Sequence, residues 1–376
     1  MTPQATYETL GKAATDPNLN TRLMIPRYLG MVSCNDLGGD RFKVRLGYAR
    51  RNRRNLIADS SALSLLTKLR HPTTPSMLAS KLNRDPDEIR DLCGRLGRGR
   101  ILYELKPAPA NMARYDRHLL FQHLTGNDPI ESQCRIGSAR IALWGCGGIG
   151  NWVSTGLIGA GFKELRLFDF DTIELSNLTR QMLFTEADLG KSKVVTAAAR
   201  LSAMNSDTNV TAIETKVEGV DDMLKTMAGI DFLVVSADKP REIHDWADAV
   251  CHRLGIPYLT AGYVDGVGIV GPTVKHGETY CLMCSDAEDC APGHRYRASF
   301  NAAYQAPSFG PINALVSALA VAEVVKYIGG FGEVQTRNRM LNIDISTLQL
   351  SYADKPRNPH CTRCGSASMH HEDFSV

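Results

Sequence analysis

The sequence predicts an α/β protein with a doubly wound, mostly parallel sheet, preceded by a small α+β module of winged-helix-like make-up. Three observations predict it. From residue 140 onward, short apolar runs alternate with helical periodicity at the spacing of βαβ units. A glycine-rich loop, Gly145-Cys146-Gly147-Gly148-Ile149-Gly150, stands between the first such run and the first such helix. Residues 27–105 read instead as three short strands, three helices and a closing strand.

In the front module, MVSC, FKVRLGYA and RNLIAD are rich in strand formers and separated by glycine or basic turns such as DLGGD. SALSLLTKLR places Leu63, Leu66 and Leu69 at helical spacing, and PSMLASKL follows as a second helix. In DPDEIRDLCGRLGRGR, Asp85 stands three residues before Glu88, a helix-start pattern. ILYEL closes the module as a strand. Residues 107–113, within a Pro/Ala stretch without periodicity, read as a linker between a module at 1–106 and a body at 114–376.

In the body, ARIALWG is a short apolar run that ends in glycine, the mark of a strand buried on both faces. GIGNWVSTGLIGAG is a helix, ELRLFDFD a strand and GKSKVVTAAARLSAMN a helix. Strands VTAIETKV and DFLVVSAD, helix REIHDWADAVCHRLG and strand PYLTAGY continue the alternation. GVGIVGPTV and RMLNIDISTLQLSYA read as strands around a strongly apolar helix, INALVSALAVAEVVKYIG.

Of the 376 residues, 43% are hydrophobic and 22% charged, the composition of a globular chain with two or three domains. The N-terminus lacks the basic start and apolar stretch of a secretory signal, and no uninterrupted apolar run of about 18 residues occurs, so a cytoplasmic protein without a membrane partner is expected. The net charge of +3 is uneven: residues 1–106 carry +9 and the remainder −6. A basic module on a mildly acidic body suits either a solvated face or an acidic partner.

The glycine loop carries the first chemistry. Gly145 permits a tight turn, Gly147 and Gly148 let backbone approach phosphate, and Gly150 lets helix pack on strand. Asp169 and Asp171 end the next strand, where a carboxylate can hold ribose hydroxyls. That pattern alone also suits a nicotinamide dinucleotide. Arg180 and Lys193 argue against hydride transfer, since two cations there would offset charge developing when ATP is cleaved between its α and β phosphates. Asp238, at the end of DFLVVSAD, is placed to hold Mg²⁺ together with phosphate oxygens.

Ten cysteines are too few for a disulfide scaffold. Cys281-Leu-Met-Cys284 and Cys361-Thr-Arg-Cys364 form two CxxC half-sites, and together they predict a closed four-thiolate zinc site with a structural role. Cys290 lies among Asp286, Glu288 and Asp289, whose charges disfavour a thiolate, so no catalytic role is expected. Cys34, Cys93, Cys134 and Cys251 read as core or incidental residues, and Cys146 as packed beneath the loop.

GCGGIG, DFDTIELSNLTRQ, GKSK and VVSAD together resemble the ThiF/MoeB/E1-like adenylating family over residues 114–365. The resemblance implies a homodimer, ATP, Mg²⁺ and adenylation of a peptide carboxylate, with AMP and pyrophosphate as products. Asp169 would bind ribose, and Asn177, Arg180, Gln181 and Lys193 the phosphates. Arg114-Tyr115-Asp116-Arg117 resembles the family's opening motif, so Arg117 would reach the nucleotide of the partner subunit. NLTRQMLF, AGYVDGVGIVGP and FGPINALVSALAVAEVVKYIG resemble the branch that adenylates ribosomal precursor peptides of the microcin C type, with the pantocin type close by. In that branch the front module clamps a precursor or leader peptide, which can add as a strand to its sheet edge.

The expected activity is therefore activation of a precursor-peptide carboxylate, followed by attack of an internal nucleophile, in the making of a peptide-derived antibiotic. An alternative is adenylation of a ubiquitin-like sulfur carrier. A third, from another class, is a nucleotide-sensing DNA-binding regulator. It is disfavoured, because Arg50, Arg51, Arg53 and Arg54 fall between strands and IRDLCGRL is mixed in charge, so no nucleic-acid partner is expected.

Overall fold

A computed structural model describes residues 23–26, 31–46, 54–69, 73–98, 101–105, 108–123, 125, 127–240, 242–284, 307–361 and 363–365. The loop bearing Cys290, residues 106–107 at the join of module and linker, and Arg50, Arg51 and Arg53 lie outside them. The chain divides into two compact units, Met1–Arg117 and His118–Val376.

In the first unit, β1 (Leu23–Pro26) pairs antiparallel with β5 (Leu102–Leu105). β2 (Met31–Asp36), β3 (Phe42–Leu46) and β4 (Arg54–Ala58) form a separate antiparallel sheet with β3 in the centre. The sequence reading therefore missed β1, whose four residues end in proline and show no alternation. The closing strand pairs with it and does not extend the three-stranded sheet.

α1 (Ser60–Lys68) starts at Asp59, whose Oδ1 accepts the Ala62 N–H at 2.7 Å. α2 (Pro75–Leu82) has Thr74 as its cap and proline in its first turn. α3 (Pro86–Arg98) starts at Asp85, as expected, with Oδ1 accepting the N–H groups of Asp87 at 2.8 Å and Glu88 at 3.0 Å. Leu65, Leu78, Ile89 and Val44 form the fully buried centre of this unit. Truncating one such leucine to alanine costs about 2–5 kcal/mol.

In the second unit, α4 (Asp116–His123), which begins at the unit boundary, and α5 (Pro129–Ser138) precede β6 (Arg140–Trp144). Then come α6 (Gly148–Ala160), β7 (Glu164–Asp169), α7 (Lys193–Met204) and β8 (Asn209–Glu214). α8 (Val220–Thr226), β9 (Phe232–Val235), α9 (Ile243–Leu254), β10 (Tyr258–Val264) and β11 (Val267–Val274) follow. α10 (Gly310–Gly329), β12 (Arg339–Asp344) and β13 (Gln349–Asp354) complete it.

The strands form one sheet of order β13-β12-β11-β10-β9-β6-β7-β8. β10, β9, β6, β7 and β8 run parallel, while β11, β12 and β13 extend the sheet antiparallel. The doubly wound, mostly parallel sheet is thus as the sequence predicts. Strand residues alternate between two cores. Ile141, Leu143, Phe232 and Val234 face one core, and Ala142, Trp144, Leu233 and Val235 the other. A strand covered on both faces has no polar side, which is why β6 and β9 read as unbroken apolar runs.

Among the described residues, α10 alone has the length and hydropathy of a membrane span, although Glu323 and Lys326 interrupt it. Val316, Ala320 and Val324 on it are fully buried in the first of those cores. Its packing is close: a Cβ on Gly268 would lie 2.4 Å from Val316 Cγ2.

Candidate active site and cysteine centre

β6 lies between β9 and β7, so the chain leaves it toward both halves of the sheet. A crevice opens at the strand ends where the winding reverses. The glycine loop sits there. Gly145 has φ +98°, and a Cβ on it would lie 2.7 Å from Ala237 N. A Cβ on Gly150 would lie 1.8 Å from the Gly145 carbonyl oxygen, so helix and strand can meet only at glycine. A Cβ on Gly147 would meet nothing within 4 Å, which leaves the loop open at the start of α6. The N-terminus of that 13-residue helix offers unpaired N–H groups to an anion. Ser236 Oγ donates to the Gly145 carbonyl at 3.0 Å and ties the end of β9 to the loop.

Asp169 is fixed to the same loop. Its Oδ2 accepts the Cys146 N–H at 2.6 Å and its Oδ1 accepts the Asp171 N–H at 2.8 Å. Each carboxylate oxygen keeps lone-pair capacity for a hydroxyl. Cys146 is buried, and burial pushes its thiol well up. Asp171, the other carboxylate expected at the nucleotide, is paired within the chain. Its Oδ2 accepts from Lys193 Nζ at 2.8 Å, and its carbonyl accepts the Lys193 N–H at 3.0 Å. Asp171 is thus the counter-ion that holds a buried lysine at the start of α7.

Arg180 Nη1 donates to the Ser176 carbonyl at 2.8 Å, and its Cδ lies 3.2 Å from where a Gly148 Cβ would stand. The guanidinium stem therefore flanks the loop. Asn177 is buried, and its Oδ1 accepts the Glu174 N–H at 3.2 Å. Gln181 is buried too, and its Oε1 has no hydrogen-bond partner among the described residues. Asp238 is exposed on the loop after β9, one residue from the Ala237 that touches Gly145. Its charge also reaches His244: burial lowers that imidazole's pKa, while Asp245 and Asp238 oppose the shift. Arg117, the last residue of the first unit, is exposed and stands 3.7 Å from Asp116.

Sequence reasoning missed three groups on the far side of the loop. Asn313, in the first turn of α10, is fully buried. Its Nδ2 donates to the Phe309 carbonyl at 2.8 Å and to Ser308 Oγ at 3.2 Å. Tyr263 OH also donates to Ser308 Oγ, at 2.7 Å. An asparagine among apolar neighbours in INALV was the available signal.

Cys281, Cys284, Cys361 and Cys364 are all buried, with their sulfurs within 4.8 Å of one another. Neighbouring pairs are 3.8, 3.6 and 3.3 Å apart. A tetrahedral zinc with Zn–S of about 2.3 Å needs S···S edges of about 3.8 Å. The four residues therefore fit zinc. Hydrogen bonding with Cys364 and burial push the Cys281 thiol far up, while the contact with Cys281 holds Cys364 at about 5. Crowded thiols cannot all ionise unaided, and a dication resolves that conflict.

Next to this cluster, buried Asp248 accepts from Tyr258 OH at 2.6 Å, lies 3.0 Å from His276 Nε2, and pairs with Arg363. Burial would raise its pKa, but the hydrogen bond and charge of His276, with Tyr258 and Arg363, hold it below the ordinary range. Arg363 lies inside the second cysteine pair, so the tail meets α9 through charge and the segment after β11 through the sulfurs.

A glycine loop at the sheet's switch point, with a carboxylate at the end of β7 and two cations on the segments that follow it, marks a nucleotide-binding α/β enzyme. The chain belongs to the ThiF family, which matches residues 115–363, and it is an ATP-dependent adenylyltransferase of the ThiF/MoeB type. It is 27% identical to the molybdopterin-synthase adenylyltransferase of Salmonella typhimurium, over 68% of this chain and 96% of that one. It is 28% identical to the sulfur carrier protein adenylyltransferase of Thermus thermophilus, over 69% of this chain and 93% of that one. Crystal structures of MccB from E. coli superpose with TM-scores of 0.72 (with ATP, 28% identity) and 0.73 (with N-formylated MccA, 27% identity). Each covers 91% of this chain and 100% of MccB, described as a microcin C7 biosynthetic enzyme.

Proposed function

We propose that this adenylyltransferase activates a carboxylate of a ribosomally made precursor peptide. One observation carries this reading. The likeness to MccB spans 91% of the chain, whereas the likeness to the Salmonella enzyme spans 68%, although 96% of that enzyme is matched. The family match begins at residue 115, and the Salmonella enzyme, already matched over 96% of its length, leaves little to correspond to the residues before it. A protein that needs only a nucleotide and a carrier has no use for such a module.

In the proposed reaction a carboxylate oxygen bonds to the α-phosphorus of ATP, and the bond from that phosphorus to pyrophosphate breaks. Asp169 holds the ribose, and Gln181 and Asn177 orient the phosphates. Arg180 and Lys193 offset the charge that grows on the leaving pyrophosphate. Asp238 is the carboxylate that would hold Mg²⁺, which would supply further charge neutralisation. Arg117 reaches the nucleotide of a partner subunit in a homodimer. The zinc site keeps the tail on the body. The front module, 1–106, holds the leader by adding it to an edge of the β2-β3-β4 sheet, with 107–113 as linker to 114–376. The enzyme works in the cytoplasm.

The test uses the full chain, ATP and the short open reading frame nearest its gene, translated as the peptide. AMP and a modified peptide are expected. Deletion of residues 1–106 should remove peptide processing and leave ATP binding. Normal processing by the truncated protein would overturn the reading. Adenylation of a sulfur carrier is the second reading, favoured by the 27–28% identity to enzymes of that name. A carrier ending in Gly-Gly, tested in parallel, separates the two.

A further inference from the structure

Asn313 is held so that one atom is left over. Its Nδ2 is committed to Phe309 and Ser308, and Ser308 is itself fixed by Tyr263. That network determines which end of the carboxamide is oxygen. Asn313 Oδ1 is then buried without a hydrogen-bond partner among the described residues. It points at the start of α6, 2.3 Å from where a Cβ on Gly148 would be, and Arg180 Cδ is 3.2 Å from that same point. A buried carbonyl without a donor costs about 1–3 kcal/mol, so the site is built for one.

Sheet order says which donor. Asp169 ends β7, on one side of β6, while Tyr263 lies on β10, two strands away on the other side. In the parallel register Thr260 is level with Val235, so Tyr263 stands beyond the end of β9. If the ribose lies toward Asp169, the group joined to the α-phosphate extends toward Asn313. Phosphate oxygens are acceptors and cannot satisfy a carbonyl. A peptide can, because its last backbone N–H lies next to its terminal carboxylate. A glutamate side-chain carboxylate has no N–H that close.

We infer that Asn313, braced by Ser308 and Tyr263, is a specificity-determining residue that accepts the last amide N–H of the acyl substrate and so selects a C-terminal peptide carboxylate. This rests on the adenylation reading but not on the identity of the peptide. It holds equally for a precursor peptide and for a carrier tail.

The experiment uses the full chain and N-acetyl-glycyl-glycyl sulfamoyladenosine, a stable mimic of a peptidyl adenylate. The comparison ligand has the last amide N–H replaced by an ester oxygen. Titration calorimetry should show the amide binding at least tenfold tighter than the ester. In Asn313→Leu the two should bind within twofold of each other, while AMP affinity stays within twofold of the parent protein. Equal binding of both ligands to the parent protein would overturn the inference, and that measurement needs no variant to fold. An ester penalty that persists in Asn313→Leu would overturn it too. Failure of the precursor-peptide reading shows separately, in the processing assay, because the mimic carries no precursor sequence.

Discussion

Lys193 Nζ stands 2.8 Å from Asp171 Oδ2, and the Lys193 N–H donates to the carbonyl of the same aspartate at 3.0 Å. The lysine is buried and the aspartate half exposed. The pair joins the segment after β7 to the start of α7 and leaves the ammonium with donors to spare. Removing the cation and removing its holder should therefore have different effects. Lys193→Ala should lower the rate of ATP–pyrophosphate exchange by about 10²–10³. Asp171→Asn keeps a hydrogen-bond acceptor, so it should raise the KM for ATP several-fold with a smaller effect on kcat. Equal losses in both would mean that Asp171 contacts the nucleotide itself.

Arg117 and Asp238 test the subunit arrangement. Each of Arg117→Ala and Asp238→Ala should be inactive alone. If Arg117 serves the nucleotide of a partner, a mixture of the two should contain heterodimers with one intact site. Activity should then return in tagged heterodimers isolated by tandem affinity. No recovery would place Arg117 in the site of its own chain.

The cysteine centre should hold about one zinc per chain, read by atomic absorption. Cys281→Ser or Cys364→Ser should lower the midpoint of thermal unfolding, with the loss of activity following the loss of folded protein. Asp248→Asn tests the adjoining anchor. It leaves Arg363 without its counter-charge, so it should also lower the midpoint, by a smaller amount, with zinc retained.

Asp188 gives a pH signature. Its carboxylate accepts the hydroxyl and N–H of Thr185, at 2.8 and 2.9 Å, and pairs with Lys191 and Arg200. The Thr185 hydrogen bonds, helped by the two cations, lower its pKa to about 2. The unfolded carboxyl titrates at about 3.9. A pKa depressed on folding adds stability that is complete above the unfolded value and is lost as pH falls through the folded one. Asp188→Asn should therefore be less stable than the parent at pH 7, and the gap should shrink from about pH 4 toward about pH 2. A gap independent of pH would show that packing, not charge, is what the variant loses.

Much of this molecule was determined by residues near one another in sequence. Ile141 to Trp144 and Phe232 to Val235 read as doubly buried strands because both faces of the sheet are covered. Asp85 announced the start of α3, and the glycines of the loop announced a turn that only glycine can make. The two cysteine pairs announced a four-sulfur cluster because each pair is a local half-site. Short or weakly patterned elements escaped: β1, ending in Pro26, exists because β5 pairs with it, and Val220–Thr226 is a seven-residue helix with a single buried side chain, Met223. The tertiary structure alone decided which charges and carbonyls meet. It made Asp171 the holder of Lys193, set Arg363 against Asp248, 115 residues away, and left Asn313 Oδ1 facing Gly148. The physical reason is range. Periodicity, capping and turn chemistry act over a few residues and leave their mark in the local pattern, whereas the partner of a polar atom is fixed by strand order and helix packing, which bring distant residues together without any local trace.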